Sequence, residues 1–209
     1  MKKNAIFIIC LLPLLFSVSC SLFSSSKPQV KHYYQIHYEP EENGQREPFN
    51  ATLRIKTLDA DKIYQRYNIV YRTSYEEMFY YNTHFWASRP SDMITDLVAN
   101  HFSKQQVFSD IILSMEKKPK YVLSGRIRAL DEFIEGEKSY ARVSIVFELK
   151  DYKTNSVVVS HSFEKRKEAA EQKPLAVVQA MGEIINSETE VFIAKINEFL
   201  EQSEQTSGE

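Results

Sequence analysis

The segment Ala141-Arg-Val-Ser-Ile-Val-Phe-Glu-Leu-Lys150 has the clearest strand pattern in the chain. Its odd-numbered positions are Ala, Val, Ile, Phe and Leu, whereas four of its five even-numbered positions are polar. Successive side chains of a strand point to opposite faces, so this pattern predicts a strand with one face in the core. Residues 151–155 have hairpin composition, and 156–163 are predicted to return as the antiparallel partner.

Further segments upstream also have strand character. Residues 120–130 and 52–57 alternate in the same way, with apolar side chains on one face. Residues 31–38 are rich in aromatic side chains, and 68–72 and 76–81 combine aromatic with apolar ones, as strands favour. Residues 82–88 are interpreted as a connection to a helix. Together with the hairpin, these segments predict a sheet of five to seven strands.

Two amphipathic helices are predicted from apolar stripes with helical spacing. The first begins near Pro90 and Ser91, which suit a first helical turn, and the second begins at Pro174. The two stripes consist of Met93, Ile94, Leu97, Val98, His101 and Phe102, and of Val178, Met181, Ile185, Phe192, Ile196 and Phe199. The order of elements predicts an α/β (α+β) fold. It is a single two-layer domain with a mostly antiparallel or mixed sheet and both helices on one face.

The N-terminal segment has the organisation of a bacterial lipoprotein leader. Lys2 and Lys3 precede the apolar residues 5–16, a run too short to span a bilayer comfortably, and small residues then lead to Cys20. This pattern predicts a signal peptide, residues 1–19, and a lipid on the thiol of Cys20. No cysteine follows, so Cys20 cannot form a disulfide within the mature chain. The alternatives are an ordinary secretory signal cleaved nearby and an uncleaved amphipathic anchor.

The remaining residues divide into three parts. Residues 20–30 are Ser-rich and are predicted to be the lipidated cysteine and its tether, residues 31–201 the folded domain, and residues 202–209 a disordered tail. Removing residues 1–19 from the 209 leaves 190, and the loss of two lysines and no acid changes the formal charge from −2 to −4. A chain of this charge has no basic surface for phosphate contacts, which argues against nucleic-acid binding.

The chain carries no recognised catalytic or metal-binding motif. It lacks CxxC, HExxH, GxSxG, GxGxxG and Walker sequences, and its five glycines are too few for phosphate-binding loops. His32 and His37 are five residues apart in one predicted strand, which places them on opposite faces and disfavours a shared metal. His84 and His101 are interpreted as packed or interface residues. We therefore expect a protein that is not an enzyme, with no catalytic residues, no metal and no cofactor.

Aromatic residues are densest between Tyr64 and Trp86, where nine Tyr, Phe and Trp side chains occur. Sheet packing accounts for part of this density, but Tyr and Trp also favour interfaces that are apolar at one end and wet at the other. The sequence therefore predicts a surface for a partner protein or a lipid chain, formed by Tyr71, Arg72, Tyr80, Tyr81, Phe85 and Trp86. Arg72 and Arg89 flank the group and are expected to be solvent-exposed, within reach of lipid phosphate or a partner carboxylate.

Four short motifs, in order after the lipidation signal, carry a resemblance to a known family. They are Tyr33-Tyr34-Gln35-Ile36, Leu53-Arg54-Ile55, Ile69-Val70-Tyr71-Arg72-Thr73-Ser74 and Phe85-Trp86-Ala87-Ser88. The chain resembles the ABC-type transport auxiliary lipoprotein family, which includes the paraquat-inducible C-type lipoproteins. The resemblance runs from about Tyr33 to Phe199. It implies a fold similar to the amino-terminal domain of TolB and agrees with lipidation of Cys20.

The resemblance also implies partners and a location. Members accompany an ATPase, a permease and a mammalian-cell-entry (MCE) protein, which move lipids or other hydrophobic molecules between bacterial membranes. The resemblance places the protein in the periplasm, anchored to the outer membrane through acylated Cys20, with the inner membrane as the less favoured site. It implies docking to the MCE and permease assembly, and a homo-oligomer is left open. The alternatives are a carrier that holds a lipid between sheet and helices and a structural envelope lipoprotein.

Overall fold

The structure, a computed structural model, describes residues 29–42 and 47–207. The predicted signal peptide, Cys20 and most of the predicted tether lie outside the described residues. Within them the chain forms nine strands, two α-helices and one 3-10 turn. In chain order these elements are β1 (His32–Tyr34), β2 (Phe49–Ile55), β3 (Asp59–Ala60), η1 (Lys62–Tyr64), β4 (Asn68–Arg72), β5 (Met78–Trp86), α1 (Pro90–Lys104), β6 (Phe108–Ile112), β7 (Tyr121–Glu135), β8 (Lys138–Asp151), β9 (Val157–Glu168) and α2 (Pro174–Ser207).

The long strand β7 organises a single mixed sheet. Along one side it pairs antiparallel with β8, which in turn pairs antiparallel with β9. Along its other side it pairs in parallel with β2, β3 and β4 at successive positions. The sheet then runs from β4 to β5 and β1 at one end, and from β2 to β6 at the other. The predicted fold class, a mixed α/β domain, is therefore confirmed.

Both helices pack on the same face of the sheet. The Phe147 ring of β8 stacks on Phe192 of α2 with a centroid distance of 5.3 Å, and Phe102 of α1 meets Phe192 edge-on at 6.3 Å. All three side chains are fully buried. His101, on the same stripe of α1, is also buried, and burial lowers its pKa to about 4. The two predicted helices thus contact each other, and α2 contacts the sheet, through aromatic rings.

Several element boundaries differ from those predicted. The first strand covers three residues rather than 31–38, and β3 and β6 were not predicted, because β3 has only two residues and the residues of β6, Phe-Ser-Asp-Ile-Ile, do not alternate. β5 continues to Trp86, through the predicted connection 82–88, because β1 and β4 supply backbone partners on its two sides. α2 continues to Ser207, so residues 202–207 are helical rather than the predicted disordered tail, as no Gly or Pro interrupts them.

α2 is the longest helix of the domain, with 34 residues. Among the described residues, no helix combines the length and the apolar character that a membrane crossing requires.

A register shift in β7 determines which of the two acidic residues Asp131 and Glu132 faces the helices. The pairing with β8 slips by one residue between Ile127 and Ala129. Beyond this bulge, Asp131 lies opposite Arg142, and Glu132 lies opposite Ala141. Because alternate residues of a strand point to opposite faces, Glu132 lies on the helix-bearing face, and Asp131 lies on the other. Both carboxylates are buried at the start of the β4–β5–β1 end of the sheet.

Candidate interaction surface

Six aromatic rings form an unbroken row across strands β4, β5 and β1, at one end of the sheet. This set, called the aromatic row below, runs from Phe79 through Tyr71 and Tyr81 to His84, whose ring contacts both Tyr34 and His32. The distances between neighbouring ring centroids range from 4.6 Å for Tyr71–Tyr81 to 5.6 Å for Tyr34–His84. Offset and edge-to-face contacts of this length stabilise aromatic pairs beyond simple area burial. The row is therefore a packed surface and not a set of independent side chains.

The aromatic row is open to solvent along its length. Phe79 is 36% exposed, His32 is exposed, and the other four side chains are half-buried. Contiguous exposed apolar surface on a soluble domain marks an interaction site more often than a lone exposed residue does. Aromatic side chains are also enriched at the centres of protein interfaces. The aromatic row is consequently the strongest candidate interaction surface that the described residues offer.

Glu132, which accepts two hydrogen bonds, holds Tyr81 of the row in place. The Tyr81 hydroxyl donates to Glu132 Oε2 at 2.7 Å, and the Ser139 hydroxyl donates to Glu132 Oε1 at 2.6 Å. Glu132 is only 1% exposed, so Tyr81 is bonded to a carboxylate beneath the surface. Burial, followed by the bond and the charge of Glu132, raises the pKa of Tyr81 well above its usual value. The phenol therefore stays protonated and remains a donor at physiological pH.

The outer end of the row is fixed by Tyr34 and His84. Tyr34 Oη lies 2.8 Å from His84 Nδ1, and the His32 ring stacks on His84 with an interplanar angle of 16°. Burial and the neighbouring His32 lower the pKa of His84. A neutral His84 can accept a hydrogen bond from the Tyr34 hydroxyl at Nδ1, which orients both rings.

The six residues predicted from the sequence to form an interaction surface lie in three different environments in the structure. Tyr71 and Tyr81 lie in the aromatic row. Tyr80 and Phe85 lie outside it, where each ring is paired with a cation. The guanidinium of Arg66 is 5.1 Å from the Tyr80 centroid, and the ammonium of Lys31 is 5.7 Å from that of Phe85. Phe85 also stacks on Tyr33 of β1 at 5.7 Å.

The remaining two residues, Arg72 and Trp86, are buried. Trp86 belongs to the hydrophobic core. Arg72 is 5% exposed, so the expectation that it is solvent-exposed is wrong, whereas Arg89 is exposed as expected. Arg72 is buried because its Nη2 lies 3.2 Å from Asp131 Oδ2 and its Nη1 donates to the Tyr75 carbonyl at 3.1 Å. Neither side chain contributes to the exposed surface.

Asp131 is the centre of a polar cluster on the face opposite the helices, buried except for Glu164. Arg142 donates two hydrogen bonds to it, from Nε to Oδ1 at 3.0 Å and from Nη2 to Oδ2 at 2.9 Å. The guanidinium of Arg142 also forms an ion pair with Glu164 at 3.0 Å. The hydroxyl of Tyr64 donates to the same carboxylate, and burial together with Asp131 raises the pKa of that phenol. This Asp131 cluster, which comprises Tyr64, Arg72, Asp131, Arg142 and Glu164, ties four strands and η1 together.

The Asp131 cluster supports the aromatic row from behind. Arg72 directly follows Tyr71 of the row in β4, and Asp131 directly precedes Glu132 in β7. Tyr71 and Glu132 are register partners in these two strands. Sequence reasoning missed Asp131, Glu132 and Arg142, although two adjacent carboxylates directly after a predicted strand were a visible signal. The arrangement has the character of a structural network with every charge paired, not of a reactive site.

The fold and the row together define an α/β domain with a candidate interaction surface. The chain belongs to the family of ABC-type transport auxiliary lipoprotein components, whose family model matches residues 34–191. This match confirms the resemblance inferred from the sequence. The family is one of transport auxiliary lipoproteins, and membership implies association with an ABC transport system at a membrane of the cell envelope.

Solved structures share the fold. Protein XCC0632 from Xanthomonas campestris is 19% identical, with a TM-score of 0.73 over 83% of this chain and 99% of that protein. A second structure, of an uncharacterised protein, is 15% identical, with a TM-score of 0.64 over 80% of this chain and 99% of the other. At these identities the similarity establishes the fold alone. A comparison with curated proteins finds no match.

Proposed function

We propose that the protein is a lipid-anchored periplasmic accessory of an MCE-type ABC transporter that moves lipids or other hydrophobic molecules between bacterial membranes. It acts by docking to the MCE and permease assembly rather than by turnover. Residues 1–19 are the signal peptide, and residues 20–30 provide acylated Cys20 and its tether to the outer membrane. The observation that carries the docking role is the aromatic row, which is solvent-open and bonded from beneath.

A rigid row favours docking because little order has to be gained on binding. Tyr81 is bonded to Glu132, and Tyr34 to His84, so these rings already occupy the positions in which a partner would meet them. Pre-organised aromatic side chains bind with a smaller loss of conformational entropy than mobile ones do. They also supply most hot spots in protein interfaces.

The filled interior argues against the alternative of a lipid carrier. A carried acyl chain would lie between sheet and helices, where Phe147, Phe192 and Phe102 are in ring contact and fully buried. Pockets that enclose ligands of this size have volumes of about 300–1,000 Å³ and apolar walls. The depressions along α2 and α1 are instead lined largely by polar residues, including Glu41, Gln105 and Glu190.

The docking role predicts a specific loss of affinity for the transporter. Replacing Phe79 by serine removes an exposed ring of the row that makes no hydrogen bond to the domain. We expect the Kd for the purified MCE and permease complex, measured by biolayer interferometry, to rise about tenfold or more, as for an aromatic hot spot. The matched control is Tyr152→Ser, which removes a 40% exposed ring from the β8–β9 turn and should leave the Kd unchanged.

Equal affinities of the Phe79→Ser variant and the parent would contradict docking through the row. A lipid that copurifies in stoichiometric amount, detected by native mass spectrometry, would instead favour the carrier.

A further inference from the structure

The two faces of β1 carry different chemistry. Side chains alternate along the strand, so Tyr34 points to the face of the aromatic row and Tyr33 to the opposite one. Tyr33 is 65% exposed, and its ring stacks on that of Phe85. The ammonium of Lys31 lies over the Phe85 ring. Lys31, Tyr33 and Phe85 are called the outer cluster below. It combines exposed aromatic surface with a positive charge.

We propose that the outer cluster contacts the phospholipid headgroups of the membrane that holds the lipid on Cys20. This inference rests on the anchor of the proposed function and not on docking. Tyrosine rings favour the headgroup level of a bilayer because one end is apolar and the other is wet. Lysine close to the membrane surface gains free energy from lipid phosphate. The outer cluster presents both groups side by side on one strand face.

The short chain between the anchor and the domain keeps this cluster near the membrane. Lys31 follows Cys20 by eleven residues, which span at most about 36–40 Å when fully extended. Lys31 and Tyr33 are the first side chains of the domain after that span, so they are the part of the fold most tightly confined near the bilayer. A tether of this length gives an effective concentration on the order of millimolar, at which even a weak contact is populated.

Contact through the outer cluster would leave the aromatic row free. Because Tyr33 and Tyr34 point to opposite faces of the sheet end, a domain seated on Tyr33 presents Tyr34 and the rest of the row away from the lipid. The row is then turned toward the periplasm, where a transport partner would approach. One three-residue strand thus sets the orientation of the docking surface relative to the membrane.

The test uses the mature chain, from Cys20 onward, with its sole thiol coupled to a maleimide lipid in vesicles of phosphatidylethanolamine and phosphatidylglycerol. Tyr33→Trp adds a fluorophore to the outer cluster, and the parent's single tryptophan, Trp86, is buried and gives a constant background. Phospholipid brominated near the headgroup end of its acyl chains is the quencher. We expect the brominated lipid to quench the emission that Tyr33→Trp adds. It should leave the emission of the control Tyr152→Trp unchanged.

Equal emission of the Tyr33→Trp variant with and without brominated lipid would overturn the inference. A second measurement needs no substitution in the domain. Amide hydrogen exchange of residues 31–34 in the parent chain should slow when the chain is coupled to vesicles, whereas residues 151–155 should exchange as they do in solution. Unchanged exchange at 31–34 would also overturn it. Because neither measurement includes acylation or a transporter, this result is independent of the docking test.

Discussion

Replacing Asp131 by alanine is expected to lower the free energy of unfolding by about 3–5 kcal/mol, because it leaves buried arginine charge without its partner. Asp131 is fully buried and accepts bonds from Arg142, Arg72 and Tyr64. Without the carboxylate, the guanidinium groups of Arg72 in β4 and Arg142 in β8, the two strands that flank β7, stay buried without their shared partner. The measurement is urea unfolding of the domain followed by the fluorescence of Trp86.

An exposed ion pair provides the control for this prediction. Asp61 and Arg126 are 3.5 Å apart, and both are largely open to solvent. Asp61→Ala is expected to cost less than about 1 kcal/mol, as for other surface pairs. If Asp131→Ala costs no more than Asp61→Ala, the Asp131 cluster does not hold β4, β7, β8 and β9 together, and the support proposed for the aromatic row is absent.

The second large effect is expected at the contact between the layers. Phe192→Ala should destabilise the domain by about 3–5 kcal/mol, the usual cost of emptying a buried aromatic site. Phe192 is fully buried and its ring contacts those of Phe102, Phe147 and His161. Urea unfolding again measures the change. Val191→Ala, at the exposed neighbouring position on α2, serves as the control and should change stability by less than about 0.5 kcal/mol.

A small cost for Phe192→Ala would show that the interior tolerates a void of the size of a benzyl group. That result would contradict a filled core and would reopen the carrier alternative, since an apolar gap between sheet and helices is what a carried acyl chain needs.

The parts of the fold that sequence could predict are those with a local period. The alternation around Phe147 and the stripe around Phe192 each repeat within one element, so β8 and α2 were visible without knowledge of any partner. The lengths of β1 and β5 were not visible. They depend on pairing between residues about 50 positions apart, such as His32 with His84.

The candidate surface was only partly predictable for the same reason. Aromatic density indicated Tyr71 and Tyr81, but it could not separate them from Tyr80, because the sheet face of each residue depends on strand register. Arg72 was expected at the surface because isolated arginines usually are. Its burial follows from a carboxylate, Asp131, that the bulge in β7 turns toward it. The membership of His32 and Tyr34 of β1 in the row could be recognised only from the structure.

The most direct test of docking is site-specific photocrosslinking in living cells. The full-length, membrane-anchored protein carries a benzophenone amino acid in place of Phe79 in one strain and of Tyr152 in another. We expect light to join the position-79 variant to the MCE-domain protein or the permease of its ABC system, identified by mass spectrometry, and to leave the position-152 variant without that product. Equal yields of that product from both positions, or its absence from both, would contradict docking through the aromatic row.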